Sequence, residues 1–198
     1  MGDRGVSEAE LIERVLAWQP QAWTTLVQEQ QEAIFRLAYL LLRDADDAED
    51  VAQEVFLRAA GALERFDRTR PLRPWLLQIT RNLASNRRRG ARRYLAALQR
   101  WWMASGTHAA AEPQANEETA ALHAAIGRLS RGDQEVIYLR YFLELPVEET
   151  AQTLGIAPGT VKSRTARALQ RLRPLVQEMQ EGPLQGLQTG VEAQHGEG

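Results

Sequence analysis

The chain has 198 residues, with 24 basic and 26 acidic side chains, no cysteine and a formal charge of −2. That length fits one or two domains of ordinary size, and a hydrophobic content of 44% is enough to fill a modest core in each. No uncharged apolar run reaches the roughly 18 residues of a transmembrane helix, and Met1 to Ser7 lacks the apolar stretch of a secretory signal. The absence of cysteine excludes disulfide frameworks, zinc ribbons and thiol nucleophiles, and fits a reducing cytosol.

Nearly every patterned segment has helical period, and strand-like alternation is absent. Glu8 to Trp18 reads as a first helix. Gln21 to Leu42 reads as a second, with Trp23, Leu26, Val27, Ile34, Leu37, Ala38 and Leu41 as its apolar stripe. Asp46 to Ala60 is a third. A loop from about Gly61 contains Pro71, and Pro74 suits the start of a fourth helix running through Arg88. The text from Ser105 to Asn116 is small, polar and aperiodic, as in a linker. A second helical set begins near Glu117, with Ser130 as an N-cap and Asp133 three residues later in a capping-box position. The expected fold is all-α. Two small helical domains, 8–100 and 117–180, are joined by a flexible linker over 101–116 and followed by a disordered tail over 181–198.

The near-neutral total is a sum of polarised blocks. From Arg43 to Glu54 the chain carries Asp44, Asp46, Asp47, Glu49, Asp50 and Glu54 against Arg43 alone. From Pro71 to Ala104 there is no acid, but there are Arg73, Arg81, Arg87, Arg88, Arg89, Arg92, Arg93 and Arg100. A third block, Thr160 to Pro174, holds Lys162, Arg164, Arg167, Arg171 and Arg173, again without acid. Two separated basic surfaces suit a polyanion, and the acidic block suits a basic partner. All basic residues but Lys162 are arginine, which fits a GC-rich genome; its planar fork also suits phosphates and base edges.

In the third helix, Ala48, Val51, Ala52, Val55 and Phe56 face inward, while Asp46, Glu49, Asp50, Gln53 and Glu54 face out. Asp46/Asp50 and Asp50/Glu54 are like-charged at i, i+4, which costs a few tenths of a kcal/mol each. Docking on a basic protein surface accounts for acids without counter-charges. A divalent-metal site and acid–base chemistry are the alternatives that the same spacing leaves open. In the next element Trp75, Leu76, Ile79 and Leu83 form an apolar seam, and Arg81, Asn82, Asn86, Arg87 and Arg88 project elsewhere. Amides and guanidinium groups there can read base edges and hold phosphates. The loop before it, with Phe66, Arg68, Arg70 and Arg73, has the residue types to hold one unstacked base.

Val147 to Leu154, then Gly155-Ile156-Ala157, then Pro158 to Leu175 has helix-turn-helix spacing. Gly155 can take the left-handed conformation of the turn. Val161, Ala168, Leu169, Leu172, Leu175 and Val176 share one face; Lys162, Ser163, Arg167, Gln170 and Arg171 share the other, with Arg164 at its edge. One face packs while the other offers donors to a major groove.

DAEDVAQEVF, RPWLLQITRNLASNRRR and GTVKSRTARALQRLR, in this order, strongly resemble the extracytoplasmic-function (group IV) sigma factors of bacterial RNA polymerase, in the sigma-70 family. The resemblance covers about residues 20–176. It implies sigma region 2 over 8–100 and region 4 over 117–180. Asp46, Glu49, Asp50, Gln53 and Glu54 would then dock on the clamp helices of the largest core subunit. Arg68, Arg70, Arg73, Arg81, Asn82, Asn86, Arg87 and Arg88 would bind the −10 element as single strand, and Lys162, Ser163, Arg164, Arg167 and Arg171 the −35 duplex. Region 4 would also hold the flap of the second large subunit, and the linker would thread the RNA exit path. The resemblance implies a cytoplasmic transcription-initiation subunit, nucleoid-associated when active. It implies no catalytic residue, cofactor or metal, and an anti-sigma factor that can hold it at the membrane. Two features depart from the family pattern: Ala157 stands where a Ser or Thr caps the recognition helix, and Trp101-Trp102 closes region 2 as a pair that either packs on the bundle or meets a protein partner. A stand-alone helix-turn-helix regulator and a metal-dependent nuclease built on the acid cluster are the rival readings.

Overall fold

Eight α-helices make up most of a computed structural model, which describes the backbone of residues 7–102 and 117–188 and the side chains of 7–90 and 120–178; no strand occurs among them. α1 spans Glu8–Leu16, with the Ser7 hydroxyl accepting the Glu10 amide at 3.2 Å. It ends two residues earlier than its apolar pattern suggests. The Ala17 amide closes the last turn on Glu13, and Trp18 takes a left-handed φ of 56° that leaves it 89% exposed. Pro20 opens α2, Pro20–Leu42, where its missing N–H costs nothing. Arg43, at φ 63°, ends it. α3 covers Ala45–Ala62, capped by the Asp44 carboxylate on the Asp47 amide at 2.8 Å. A 3-10 turn, Leu63–Arg65, occupies part of the expected loop.

α4 spans Leu72–Trp102, about four turns beyond the expected end at Arg88. The reason is compositional: past Arg89 the chain offers Ala, Leu, Arg and Gln and no proline, so only Gly90 argues for a stop. Its start is fixed from a distance. The Leu72 amide donates to Glu8 Oε1 at 3.0 Å, so α1 supplies the anion at the positive end of α4. The core of this bundle is Ile12, Leu26, Ile34, Leu37, Val51, Val55, Leu63, Leu72, Leu76 and Leu77. Leu76 and Leu83 of the expected α4 seam are buried, while Trp75 and Ile79 are half-buried. Trp75 packs on buried Phe66, ring centroids 4.8 Å apart, which makes both core residues.

Two compact units emerge, and their border differs from the two-block expectation. Residues 138–158 fold with α1–α4. They comprise a π-helical turn, Tyr138–Phe142, and α7, Val147–Leu154. Tyr138 is buried, and its hydroxyl accepts from the Arg43 guanidinium at 2.9 Å. Burial raises the Tyr138 pKa, opposed by the Arg43 charge and hydrogen bond.

The second unit holds α5, Glu117–Gly127, α6, Arg131–Ile137, and α8, Pro158–Gln188. Its buried side chains include Ile126, Leu129, Val136, Val161, Ala168 and Leu172. Ser130 caps α6 as expected, its Oγ accepting the Asp133 amide at 3.3 Å. The Asp133 carboxylate turns instead to Arg171, so the hydrogen bonds described form one half of a capping box. Gln134, also buried, donates to the carbonyls of Gly127 and Leu129, which α5 leaves open. α8 remains helical through Gln188, past residue 181 where a tail was expected; residues 189–198 and the linker residues 103–116 lie outside those described.

Candidate nucleic-acid interface

α3 presents its acids along one line, because residues four and seven apart share a helix face. Asp46, Glu49, Asp50 and Gln53 are exposed and Glu54 is half-exposed. The sequence expectation of acids without counter-charges is corrected at three positions. Arg58 Nε lies 2.7 Å from Glu54. Arg87, from α4, places Nε 2.7 Å from Asp47 and a terminal nitrogen 2.7 Å from Asp50. The hydrogen bond to Asp50 is the main cause that raises the Arg87 pKa, with the charges of Asp47 and Asp50 adding to it. The Glu54–Arg58 pair sits at i, i+4 and was legible; the Arg87 bridge spans 37 and 40 residues and was not.

Between α3 and α4 lies a cleft of ≈ 410 Å³, bordered by Asp50, Gln53, Glu54, Leu57, Asn86 and Arg87. Leu57 on its rim is 71% exposed. It continues the acidic face one turn past Gln53, and its i+3 spacing from Glu54 is the signal that could have found it. The face is therefore acidic at one end and apolar at the other.

The expected single-strand contacts divide in two. Arg68, Thr69 and Arg70 sit in a turn built by Asp67, whose Oδ1 accepts from the Thr69 amide at 3.0 Å and the Thr69 hydroxyl at 2.7 Å. Those two hydrogen bonds hold the Asp67 carboxyl below its ordinary pKa. Arg68 reaches within 3.6 Å of Glu13. Arg73, Asn82 and Asn86 are exposed on the arginine helix, and Arg89 donates to Asn86. Arg81 and Arg88 are half-buried. Arg81 donates to the Leu154 carbonyl at 3.2 Å, at the C-terminal end of α7 where a cation meets open carbonyls. Arg81 and Arg87 are thus engaged by protein, whereas the exposed amides stay on the surface.

Two helices separated by a three-residue turn occur where the spacing put them. Gly155 caps α7 at φ 66°, and the Ile156 amide reaches back to Ala151 at 3.1 Å, a Schellman-type closure. On α8, Lys162, Ser163, Arg167, Gln170 and Arg171 are exposed, and Arg164 is partly buried. Leu169, expected on the packing face, is 39% exposed, because the buried arc centres on Val161, Ala168 and Leu172 and Leu169 falls outside it. Arg171 is drawn to Asp133 at 2.6 Å. The side chains of Trp101 and Trp102 lie outside those described.

Comparison with known proteins agrees with this arrangement. The sigma-70 region 2 family matches residues 26–94, and the sigma-70 region 4 family matches residues 119–172. The ECF RNA polymerase sigma factor SigL of Mycobacterium tuberculosis is 36% identical over 162 residues, covering 78% of this chain and 88% of its own. The ECF sigma factor SigW of Bacillus subtilis is 29% identical, covering 85% and 96%. Among solved structures, CnrH in complex with the cytosolic domain of CnrY aligns with a TM-score of 0.65 at 26% identity, covering 86% of this chain and 97% of that one. RpoE of Bartonella quintana, bound to the anti-sigma factor NepR, aligns at 0.64 and 25% identity, covering 78% and 96%. The acidic face of α3, α4 as far as residue 94 and the outward face of α8 as far as Arg171 fall inside the matched stretches, and the chain belongs to the extracytoplasmic-function sigma factors of the sigma-70 family.

Proposed function

We propose that the chain is a promoter-specificity subunit that binds core RNA polymerase and directs initiation at −35/−10 promoters, in the setting of a stress or envelope response. The observation that carries this is polarity: one exposed face of α3 is acidic and then apolar, while the outward faces of α4 and α8 carry amides and cations. A helix-turn-helix regulator acting alone has no use for the first of these.

In this reading α3 docks on the clamp helices of the largest core subunit through Asp46, Glu49 and Gln53, with Leu57 supplying the apolar contact. Asp50 and Glu54 act through the ion pairs they share with Arg87 and Arg58. The Asp67 turn and the exposed amides Asn82 and Asn86 take up unstacked bases of the −10 element, with Arg68, Arg70, Arg73 and Arg88 at the backbone. Lys162, Ser163 and Arg167 meet the −35 duplex. The flap of the second large subunit is a further contact of region 4.

The chemistry of nucleotide addition belongs to the polymerase, and this chain contributes binding energy. Contacts that exist only with separated strands favour the melted promoter. Neutralised phosphates make the affinity fall with salt. An anti-sigma partner, as carried by the solved relative RpoE, fits this chain as well. It would hold the protein in the cytoplasm or at the membrane until release to the nucleoid.

Co-purification with core enzyme tests the docking face. The double variant Glu49→Arg, Leu57→Asp leaves the buried core and the ion pairs of Asp47, Asp50 and Glu54 intact, so its circular dichroism should match the parent while core binding is lost. Undiminished co-purification refutes the assignment of this face.

A further inference from the structure

α8 carries five cations in its first half, and they are not equivalent. Arg164 and Arg171 are seven residues apart. Seven steps of about 100° return to within roughly 20° of the start, so both lie along one line of α8. Both meet the first turn of α6. The Arg171 guanidinium lies 2.6 Å from the Asp133 carboxylate, whose side chain is only 7% exposed. The Arg164 guanidinium covers the Cα of Gly132, so close that an added β-carbon would stand 3.0 Å from its terminal nitrogen. Lys162, Ser163 and Arg167 lie off that line and are exposed.

We propose that Asp133, with Gly132 beside it, is a positioning element for −35 recognition: it withdraws Arg171 from the DNA contacts and fixes the rotation of α8 so that Lys162, Ser163 and Arg167 face the groove. This rests on the reading of α8 as the duplex-contacting helix. The physical reason is desolvation. A carboxylate as buried as Asp133 needs its counter-charge, whereas a phosphate can be served by any exposed cation on the helix. Arg171 therefore stays with Asp133 when DNA arrives. Gly132 admits the Arg164 guanidinium against the backbone, which ties the same helix line at a second point two turns away.

The test is the salt dependence of holoenzyme binding to a duplex that carries a −35 element mapped by run-off transcription, with folding followed by circular dichroism. Lys162→Ala and Arg167→Ala should each flatten the slope of log K against log salt by about 0.9, the value for one phosphate contact. Arg171→Gln should leave the slope at the parent value while lowering affinity, and Asp133→Asn should lower affinity by a similar factor. The double variant Asp133→Asn, Arg171→Gln, an amide pair of similar volume that leaves no buried charge alone, should bind no worse than either single variant. It keeps the test decisive where a single variant fails to fold. A slope flattened by about 0.9 in Arg171→Gln or in the double variant overturns the proposal, because Arg171 is then a phosphate ligand. Unchanged slope and affinity in both Lys162→Ala and Arg167→Ala refutes instead the reading of α8 on which it stands.

Discussion

Arg87 joins two surfaces that the sequence kept apart, and its removal has a calculable cost. In Arg87→Ala, two ion pairs at 2.7 Å disappear. The partners are partly exposed, with side-chain exposures of 39% for Arg87, 38% for Asp47 and 59% for Asp50. Each pair therefore contributes at the level of surface pairs, about half a kcal/mol. Asp47 and Asp50 are also like charges at i, i+3, and without Arg87 between them their repulsion adds a few tenths. The sum is about 1–1.5 kcal/mol, or roughly 2–5 °C in Tm for a chain of this size. Because the effect is electrostatic and near the surface, it should shrink towards zero at about 1 M salt, where the screening length is about 3 Å. Thermal melts of parent and variant at low and high salt supply the numbers. Equal stability at low salt, with a promoter-binding slope reduced by about 0.7, the value for one contact to single-stranded DNA, would refute this reasoning and return Arg87 to the phosphate contacts.

Two other substitutions probe the pKa shifts. Tyr138→Phe removes the hydroxyl that accepts from Arg43 at 2.9 Å and should cost about 1 kcal/mol by urea titration at neutral pH. Burial raises the Tyr138 pKa, so its contribution is whole below the unfolded value near 10 and is lost as pH rises through the higher folded value. The difference between parent and variant should hold up to about pH 9 and narrow as the pH rises through about 10 and above, and a constant difference contradicts the shift. The Asp67 carboxyl is held low by Thr69, so its contribution is present above the unfolded value near 3.9 and is lost as pH falls through the lower folded one. Thr69→Ala removes the hydroxyl bond and should raise the Asp67 midpoint in an NMR titration; superimposable curves would show that this bond does not hold the carboxyl low.

Local chemistry was legible in the sequence, and distant pairing was not. The cap at Ser130, the left-handed Gly155 and the amphipathic division of α3 each depend on residues within a turn or two, which periodicity and propensity report directly. The lengths of α4 and α8 were underestimated because single glycines and prolines were read as stops where the surrounding residues sustain a helix. Arg87 was assigned to DNA because an arginine in a basic run looks the same whether its partner is a phosphate or an aspartate 37 residues away. Asp133 was read only as a cap, since nothing near it in sequence announces Arg171, 38 residues on. Leu57 escaped notice because one exposed leucine beyond an acidic stretch carries no weight until the helix is seen to continue its face.

The proposed role is tested most directly by run-off transcription. Purified protein is added to core RNA polymerase on genomic fragments, and the 5′ ends of the transcripts are mapped. Discrete start sites that share paired −35 and −10 elements, and that depend on the added chain, are the predicted result. Transcription no higher than that of core enzyme alone would contradict it.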